Sequence, residues 1–204
     1  NVGTIIENAS GTSSISSNSG MVQNLNGGTF SIGANTGFLT TAAGSIWTGC
    51  TDTDWNKPAN WHNGAVPTAT DNVTIPNATN QPSITDNTAV ANSVHVQSGA
   101  TLTIAAAGRL TINGSRTFGS FTSAFFNEGT VNNNGKLILG STSSIGQRGL
   151  WNVATFHNNT GGDIQIDRSS NTGLYNQSRT FTNAAHITIG ANAKVGLYCI
   201  ENQP

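Results

Sequence analysis

The feature that most constrains this chain is an internal repeat. A Gly-Leu-aromatic phrase recurs around Leu150, Leu174 and Leu197, in steps of 24 and 23 residues. Each repeat contains short runs in which apolar and polar side chains alternate, such as residues 164–166 and 187–189, and this alternation is typical of β-strands. A strand this short cannot bury its apolar side alone. We therefore expect the repeats to stack as coils that pair their backbones with the coils above and below.

The composition favours the same architecture and excludes other classes. Asn, Thr, Ser and Gly make up 99 of the 204 residues, while 8% of the side chains are charged and the formal net charge is −1. Such a chain has no basic surface for nucleic acid. It also lacks the run of about 20 apolar residues that a membrane-spanning helix needs. We predict an all-β, right-handed parallel β-helix (a solenoid) that binds no nucleic acid and does not insert into a membrane.

One segment departs from the repeat. Residues 46–82 hold three of the four tryptophans and four of the five prolines, which indicates an inserted loop or cap rather than a linker. The prediction is a single β-helix domain over residues 1–204, with first coils in 1–45, the Trp-rich insertion in 46–82 and continuing coils in 83–204.

Phrases in and after this insertion resemble those of a known family. They are Trp47-Thr48-Gly49, Asp54-Trp55, Asn60-Trp61, Val66-Pro67, Asp71-Asn72-Val73-Thr74-Ile75-Pro76 and Gly99-Ala100-Thr101-Leu102-Thr103-Ile104. The chain resembles large secreted surface proteins of Bacteroidetes-type bacteria, in which a W-x-G…DW…NW…VP…D-x-V-x-I-P stretch introduces β-helix coils with GA-x-LTI repeats. The resemblance implies an adhesin-like repeat protein and carries over no catalytic residue.

Asp52, Asp54 and Asn56 form the only pattern that suggests a metal. Their D-x-D-x-N order is similar to the start of a calcium loop built from oxygen ligands. Lys57 stands where an EF-hand has glycine, and Asn63 stands where it has the bidentate glutamate. The alternative is a turn capped by hydrogen bonds from side chain to backbone. We expect no cofactor, with calcium as a weak candidate.

Two groups of side chains suggest that the protein cleaves or binds glycans. Asp163 and Asp167 flank a short strand beside Arg168, and the alternation would point both acids outward. They would lie roughly 13 Å apart along one strand, too far for the acid pair of a glycosidase without a partner from a neighbouring coil. Trp55 and Trp61 are candidate glycan contacts. The alternative is that they form a small hydrophobic core of their own under the insertion.

The cysteines and the chain ends suggest contacts within or between chains. Cys50 and Cys199 are too few for a disulfide framework, so they form one bridge, within or between chains, or stay free. Residues 2–8 and 195–202 share one phrase with a one-residue gap. This match predicts either a module of a tandem array or copies stacked head to tail. The predicted self-association residues are Val2, Ile5, Ile6, Leu197, Tyr198 and Ile200.

The sequence therefore predicts a non-enzymatic structural protein. We expect a module of an exported bacterial surface protein or extracellular filament, secreted and acting by rigid stacking, self-association and adhesion. Its partners would be copies of itself or adjacent repeats, with surface glycans as a further ligand class. The alternative is a glycan-binding or glycan-cleaving β-helix of the polysaccharide lyase or glycosidase type.

Overall fold

The computed structural model describes residues 44–177, 179–190 and 195–203. In these residues the chain is almost entirely parallel β-sheet, wound as a β-solenoid of about six turns, and the single short 3-10 turn covers Pro58–Asn60. The predicted parallel β-helix is confirmed. Residues 1–43, which include most of the predicted first coils, lie outside the described residues.

Three parallel sheets form the walls of the solenoid, and each complete coil gives one strand to each sheet. The first sheet contains β1 (Ser45–Ile46), β2 (Asn72–Ile75), β5 (Ser93–Val96), β9 (Phe121–Asn127), β12 (Arg148–Asn152), β15 (Thr172–Gln177) and β18 (Tyr198–Gln203). The second contains β3 (Ser83–Ile84), β6 (Thr101–Ile104), β10 (Thr130–Asn133), β13 (Thr155–Asn158) and β16 (Phe181–Asn183). The third contains β4 (Ala89–Ala91), β7 (Arg109–Ile112), β11 (Lys136–Leu139), β14 (Asp163–Ile166) and β17 (His186–Ile189).

The core is a set of apolar columns that run along the axis of the stack. Most strands alternate outward and buried side chains, as in β6 and β14, because successive residues of a strand point to opposite faces. Residues in register across coils then form columns of like side chains. The main column of the first sheet is Val73, Val94, Phe125, Leu150, Leu174 and Ile200.

The register of the last coil differs from the one that the repeat predicted. The Gly-Leu-aromatic phrase suggested that Leu197 follows Leu174, but the structure pairs Leu174 with Ile200 and Asn176 with Asn202. Leu197 lies before β18 and is 74% exposed. The reason is that the register follows the inward apolar residue and the asparagine two positions later, and not the glycine phrase.

Two asparagine ladders run alongside the apolar columns. In each one, the side-chain Nδ2 of one coil donates to the side-chain Oδ1 of the next coil over 2.7 Å. Stacked amides suit this position because each has both a donor and an acceptor. The first ladder is Asn127, Asn152, Asn176 and Asn202, and the second is Asn133, Asn158 and Asn183.

The Trp-rich segment is shorter than predicted and covers one end of the second sheet. Residues 72–75 already form β2 of the regular stack, so the departure from the coil spans 47–71. The backbone around Asp54 pairs in parallel with Ser83 of β3, the edge strand of the second sheet. Trp47 and Trp61 form an antiparallel bridge within the segment. The segment therefore covers a strand edge that would otherwise be open to pairing.

One coil carries an additional hairpin. The step between register partners is 31 residues from Val94 to Phe125, against 25 from Phe125 to Leu150. The extra length includes β8 (Arg116–Phe118), which pairs with β9 in the only antiparallel strand pairing of the described residues. The ring of Phe118 packs against His95 and Phe126 on the outer face of the first sheet.

Candidate functional site

The calcium candidates form a capped turn. Asp52 accepts hydrogen bonds from the Asp54 backbone N–H at 3.0 Å and from the Asn60 amide at 2.7 Å, and its other oxygen pairs with the Lys57 ammonium at 2.8 Å. The Lys57 and Asn60 contacts lower the pKa of Asp52 to about 2. Asn56 instead donates to Asp86. The Lys57 ammonium already neutralises the Asp52 carboxylate, as a bound cation would. We therefore interpret these side chains as a structural turn.

The acids around β14 serve the fold. Asp163 points outward as predicted and pairs with Lys136 of the preceding coil at 2.8 Å. The outward prediction is wrong for Asp167, which is fully buried just after the strand and accepts a hydrogen bond from Gln165 at 2.9 Å. Arg168 donates to the carbonyls of Gly140 and Ser141. The structure therefore does not assemble an acid pair from Asp163 and Asp167.

Trp55 and Trp61 are not glycan contacts. Trp55 is 0% and Trp61 is 2% exposed, so neither ring can stack on a sugar. The Trp61 indole lies edge-on to Trp55 and Trp47, with ring centroids 4.8 and 5.1 Å apart, and its Nε1 donates to the Trp55 carbonyl at 2.7 Å. These rings form a small hydrophobic core within the segment, which was the alternative to glycan contact.

The two cysteines do not pair within the chain. Both thiols are free and exposed. Cys50 follows β1 and Cys199 lies in β18, which are the two ends of the first sheet. The six strand spacings between them correspond to roughly 29 Å, whereas a disulfide needs Cα atoms within about 7 Å. A disulfide between Cys50 and Cys199 is thus confined to contacts between chains.

Three of the residues predicted to mediate self-association, Leu197, Tyr198 and Ile200, lie on or beside the last strand. Tyr198 is 53% and Ile200 is 57% exposed, in contrast to the fully buried Leu150 of an inner coil. A cup of about 340 Å³ opens at this end of the stack and is lined by Leu174, Asn176, Phe181, Asn183, Ile187, Ile200 and Asn202. Val2, Ile5 and Ile6 lie outside the described residues.

A second concave site lies on the outer face of the first sheet and was missed by the sequence reasoning. It has a volume of about 410 Å³. At its centre the Arg148 guanidinium lies 3.9 Å from the ring centroid of Phe121, 4.1 Å from that of Trp151 and 3.8 Å from that of Tyr175. Arg148 is 9% exposed, and burial lowers its pKa. We call this site the Arg148 pocket.

Two of the aromatic residues of the Arg148 pocket, Trp151 and Tyr175, belong to one outward column. His95, Phe126, Trp151, Tyr175 and Glu201 are register partners on successive coils. Three of these residues, Phe126, Trp151 and Tyr175, immediately precede an asparagine of the first ladder, so the sequence signal existed as an aromatic-Asn pair at coil spacing. The β8 hairpin covers the His95 end of the column, whereas the Tyr175 end lines the pocket.

His95 is an ionisable group enclosed in this column. Its ring stacks on Phe126 and meets Phe118 edge-on. Its Nε2 lies 2.6 Å from a carboxylate oxygen of Glu128. Burial lowers the pKa of His95, Glu128 opposes that shift, and the charge of Arg116 adds to it. The net lowering indicates that the neutral imidazole is favoured in the folded protein.

The described part of the chain contains no helix long and apolar enough to span a bilayer. Residues 46–172 match a family model described as a domain of unknown function (DUF8693). This match covers more than half of the 204 residues and spans the Trp-rich segment, the β8 hairpin and the coils up to the start of β15. Neither the curated proteins nor the solved structures include a significant match.

Proposed function

The chain belongs to the DUF8693 family of unknown function, and we propose that it is a non-enzymatic structural module of an exported surface protein or extracellular filament. In this proposal the solenoid acts as a rigid rod that grows by adding coils along one axis, either from copies of itself or from adjacent repeats. The resemblance of its tryptophan phrases to those of secreted surface proteins supports the exported, surface-associated part of the proposal.

The observation that carries the proposal is the apolar cup at β18. Phe156, Ile164 and Ile166 are fully buried in an inner coil, whereas Phe181, Ile187 and Ile189, their partners in the next coil, are partly exposed. Covering apolar surface stabilises an interface by roughly 25 cal/mol per Å². A further coil in the same register would complete these columns in the way that each inner coil completes the one before it.

The asparagine ladders give this contact a direction. Asn176 donates to Asn202, and by the same pattern Asn202 would donate to an asparagine of a following coil. The phrase Ile6-Glu7-Asn8 has the same residues as Ile200-Glu201-Asn202, whose strand is in register with the ladder. A second copy therefore carries a sequence suited to continue the ladder, which favours head-to-tail contact over side-by-side contact.

The partners of the carboxylates support a structural role. Asp52 pairs with Lys57, Asp163 pairs with Lys136, and Glu128 lies against His95. Asp86 accepts from the backbone and the hydroxyl of Thr88. An acid or base that performs catalysis must reach a substrate, whereas each of these groups is engaged within the fold.

The experiment compares wild type with Ile200→Glu and with Thr188→Glu as the matched control. Thr188 is an exposed, outward-facing residue of the last complete coil, so T188E adds the same charge outside the cup. Sedimentation velocity over a wide range of protein concentration, with electron microscopy of the same samples, should show assemblies for wild type and T188E. I200E should remain monomeric because it places a charge in the apolar contact.

The same experiment includes Ile6→Glu, which changes the N-terminal phrase and none of the described residues that line the cup. I6E should assemble as poorly as I200E. Wild-type protein that stays monomeric at the highest concentration would contradict self-assembly, and assembly of I200E at the wild-type level would exclude the cup as the contact.

A further inference from the structure

The Arg148 pocket contains a buried cation whose hydrogen-bonding groups are not all satisfied. Among the described residues, Nη1 of Arg148 is buried and has no hydrogen-bond partner. Three aromatic rings surround the guanidinium, and their faces attract it without accepting conventional hydrogen bonds. Leaving a buried donor of a charged group unpaired is costly, so this arrangement suits an acceptor supplied by a ligand.

The acid that lines the pocket does not supply a hydrogen-bond acceptor to Arg148. Glu201 lines the same pocket, but its oxygens accept from Thr172 Oγ1 at 3.2 Å and from Gln203 Nε2 at 3.0 Å. Arg148 is not among the ion pairs of the described residues, which join other acids and bases. The pocket therefore presents a guanidinium on one part of its lining and a carboxylate that is already engaged on another.

The remaining lining suits a sugar ring. Tyr198 and Phe121 are the exposed aromatics of the lining, and an aromatic face packs well against the C–H face of a pyranose. The side-chain amides of Asn171 and Gln177 also line the pocket, where Asn171 Oδ1 can accept from a hydroxyl group and Gln177 Nε2 can donate to one. A volume of about 410 Å³ lies within the usual size range of small-molecule sites.

We propose that the Arg148 pocket binds a hexuronate unit of an acidic polysaccharide, with the sugar carboxylate accepting from Arg148 and the pyranose ring against Tyr198. A carboxylate matches the planar fork of arginine in a bidentate pair, which a neutral hydroxyl group does not. This binding role uses the outer face of the first sheet rather than the apolar cup, and Tyr198 is the one residue that it shares with the predicted self-association set.

The primary test is titration of the full chain with three acidic probes, namely trigalacturonate, trimannuronate and a hyaluronan tetrasaccharide. The neutral comparison is α-1,4-linked galactotriose, which differs from trigalacturonate only in having hydroxymethyl groups in place of carboxylates. Binding is followed by the indole N–H resonances. The Trp151 signal should shift, since Trp151 lines the pocket, and the signals of the buried Trp47, Trp55 and Trp61 should not.

Variants then test the charges of Arg148 and Glu201 separately. Arg148→Met retains an apolar stem of similar length and should weaken binding of the acidic probe at least tenfold. Arg109→Gln is the matched control, because Arg109 is an exposed arginine of the third sheet, and it should leave affinity unchanged. Glu201→Gln is nearly isosteric and should tighten binding about threefold to tenfold, because it removes a like charge facing the ligand carboxylate.

The response to Glu201→Gln keeps the test informative if Arg148→Met disturbs the aromatic packing. Tighter binding by E201Q supports an anionic ligand, and unchanged or weaker binding by E201Q overturns it. Equal affinity for trigalacturonate and galactotriose would also overturn the carboxylate contact. Absence of a Trp151 shift with all three acidic probes at millimolar concentration would overturn the site itself, whatever the outcome of the assembly experiment.

Discussion

Asn152 donates its side-chain amide to the side-chain oxygen of Asn176 on the next coil over 2.7 Å, and both residues are buried. Asn152 also accepts from Asn127 of the preceding coil at 2.7 Å. A slip of one residue would turn these amides away from each other and place apolar side chains outside. The ladder therefore fixes the register of the coils as well as stabilising them.

We predict that Asn152→Ala lowers the free energy of unfolding by about 2–4 kcal/mol, because it breaks the ladder and removes the buried hydrogen-bond partner of one Asn127 N–H and of the Asn176 side-chain oxygen. Asn159→Ala is the control, since half-buried Asn159 donates to Asn134 at 3.0 Å near the surface, and its cost should stay below about 1 kcal/mol. Urea denaturation of both variants measures the difference. Equal costs would mean that the buried ladder does not contribute specially to stability.

The tryptophan core gives a second prediction. Trp61→Phe removes the buried hydrogen bond to the Trp55 carbonyl and leaves space beside Trp47, so it should destabilise the protein by about 1–3 kcal/mol. Thermal unfolding followed by circular dichroism would measure this loss. Trp151→Phe provides a comparison in a half-exposed position, where the cost should be smaller. A W61F variant as stable as wild type would show that these Trp61 contacts do not contribute to stability.

The enclosed imidazole of His95 predicts that the stability of the protein depends on pH. The pKa of His95 is lowered in the folded protein, so the unfolded chain binds the proton first as the pH falls below the ordinary value of 6.5. Stability should therefore decrease on acidification below about pH 6.5 in wild type relative to His95→Phe. Parallel denaturation series of the two proteins from neutral to mildly acidic pH test this. A relative gain of wild-type stability would show that the Glu128 contact outweighs burial.

The turn at Asp52 predicts a second loss of stability in acid, in a lower pH range. Its pKa is about 2 in the folded protein and 3.8 ordinarily, so its stabilising contribution is present above pH 3.8 and is lost as the pH falls towards 2. Wild type should be more stable than Asp52→Asn at neutral pH, and the two should converge in this acidic window. The small advantage expected of an exposed pair should also fall at high salt. A difference that does not change with pH would exclude the carboxylate charge as its cause.

Much of the fold could be predicted from the sequence because local alternation and coil spacing agree. The step from Leu150 to Leu174 and the buried apolar residues of β14 follow directly from the repeat. The last register was missed because Gly196-Leu197 repeats as a phrase, whereas the inward position is taken by Ile200. An apolar-x-Asn pattern marks the correct register in every coil from Phe125 onward.

The candidate site was less predictable, since it depends on contacts between coils. Trp55 and Trp61 are prominent in the sequence, but their burial follows from the segment folding back over Ser83. The pocket around Arg148 combines Phe121 of one coil with Tyr175 of another. These residues are 54 positions apart in the chain. A sequence pattern alone does not give the side-chain directions that bring them together.

The hairpin of β8 and β9 also shows where this architecture can change. The coil that contains it is six residues longer than the coil from Phe125 to Leu150, yet the pairing of Val94 with Phe125 keeps the interior column continuous. Extra chain is accommodated outside the wall at the bend between two sheets. Foreign loops grafted between residues 118 and 121 are therefore a means of displaying new binding surfaces on the solenoid while the spacing of its coils stays the same.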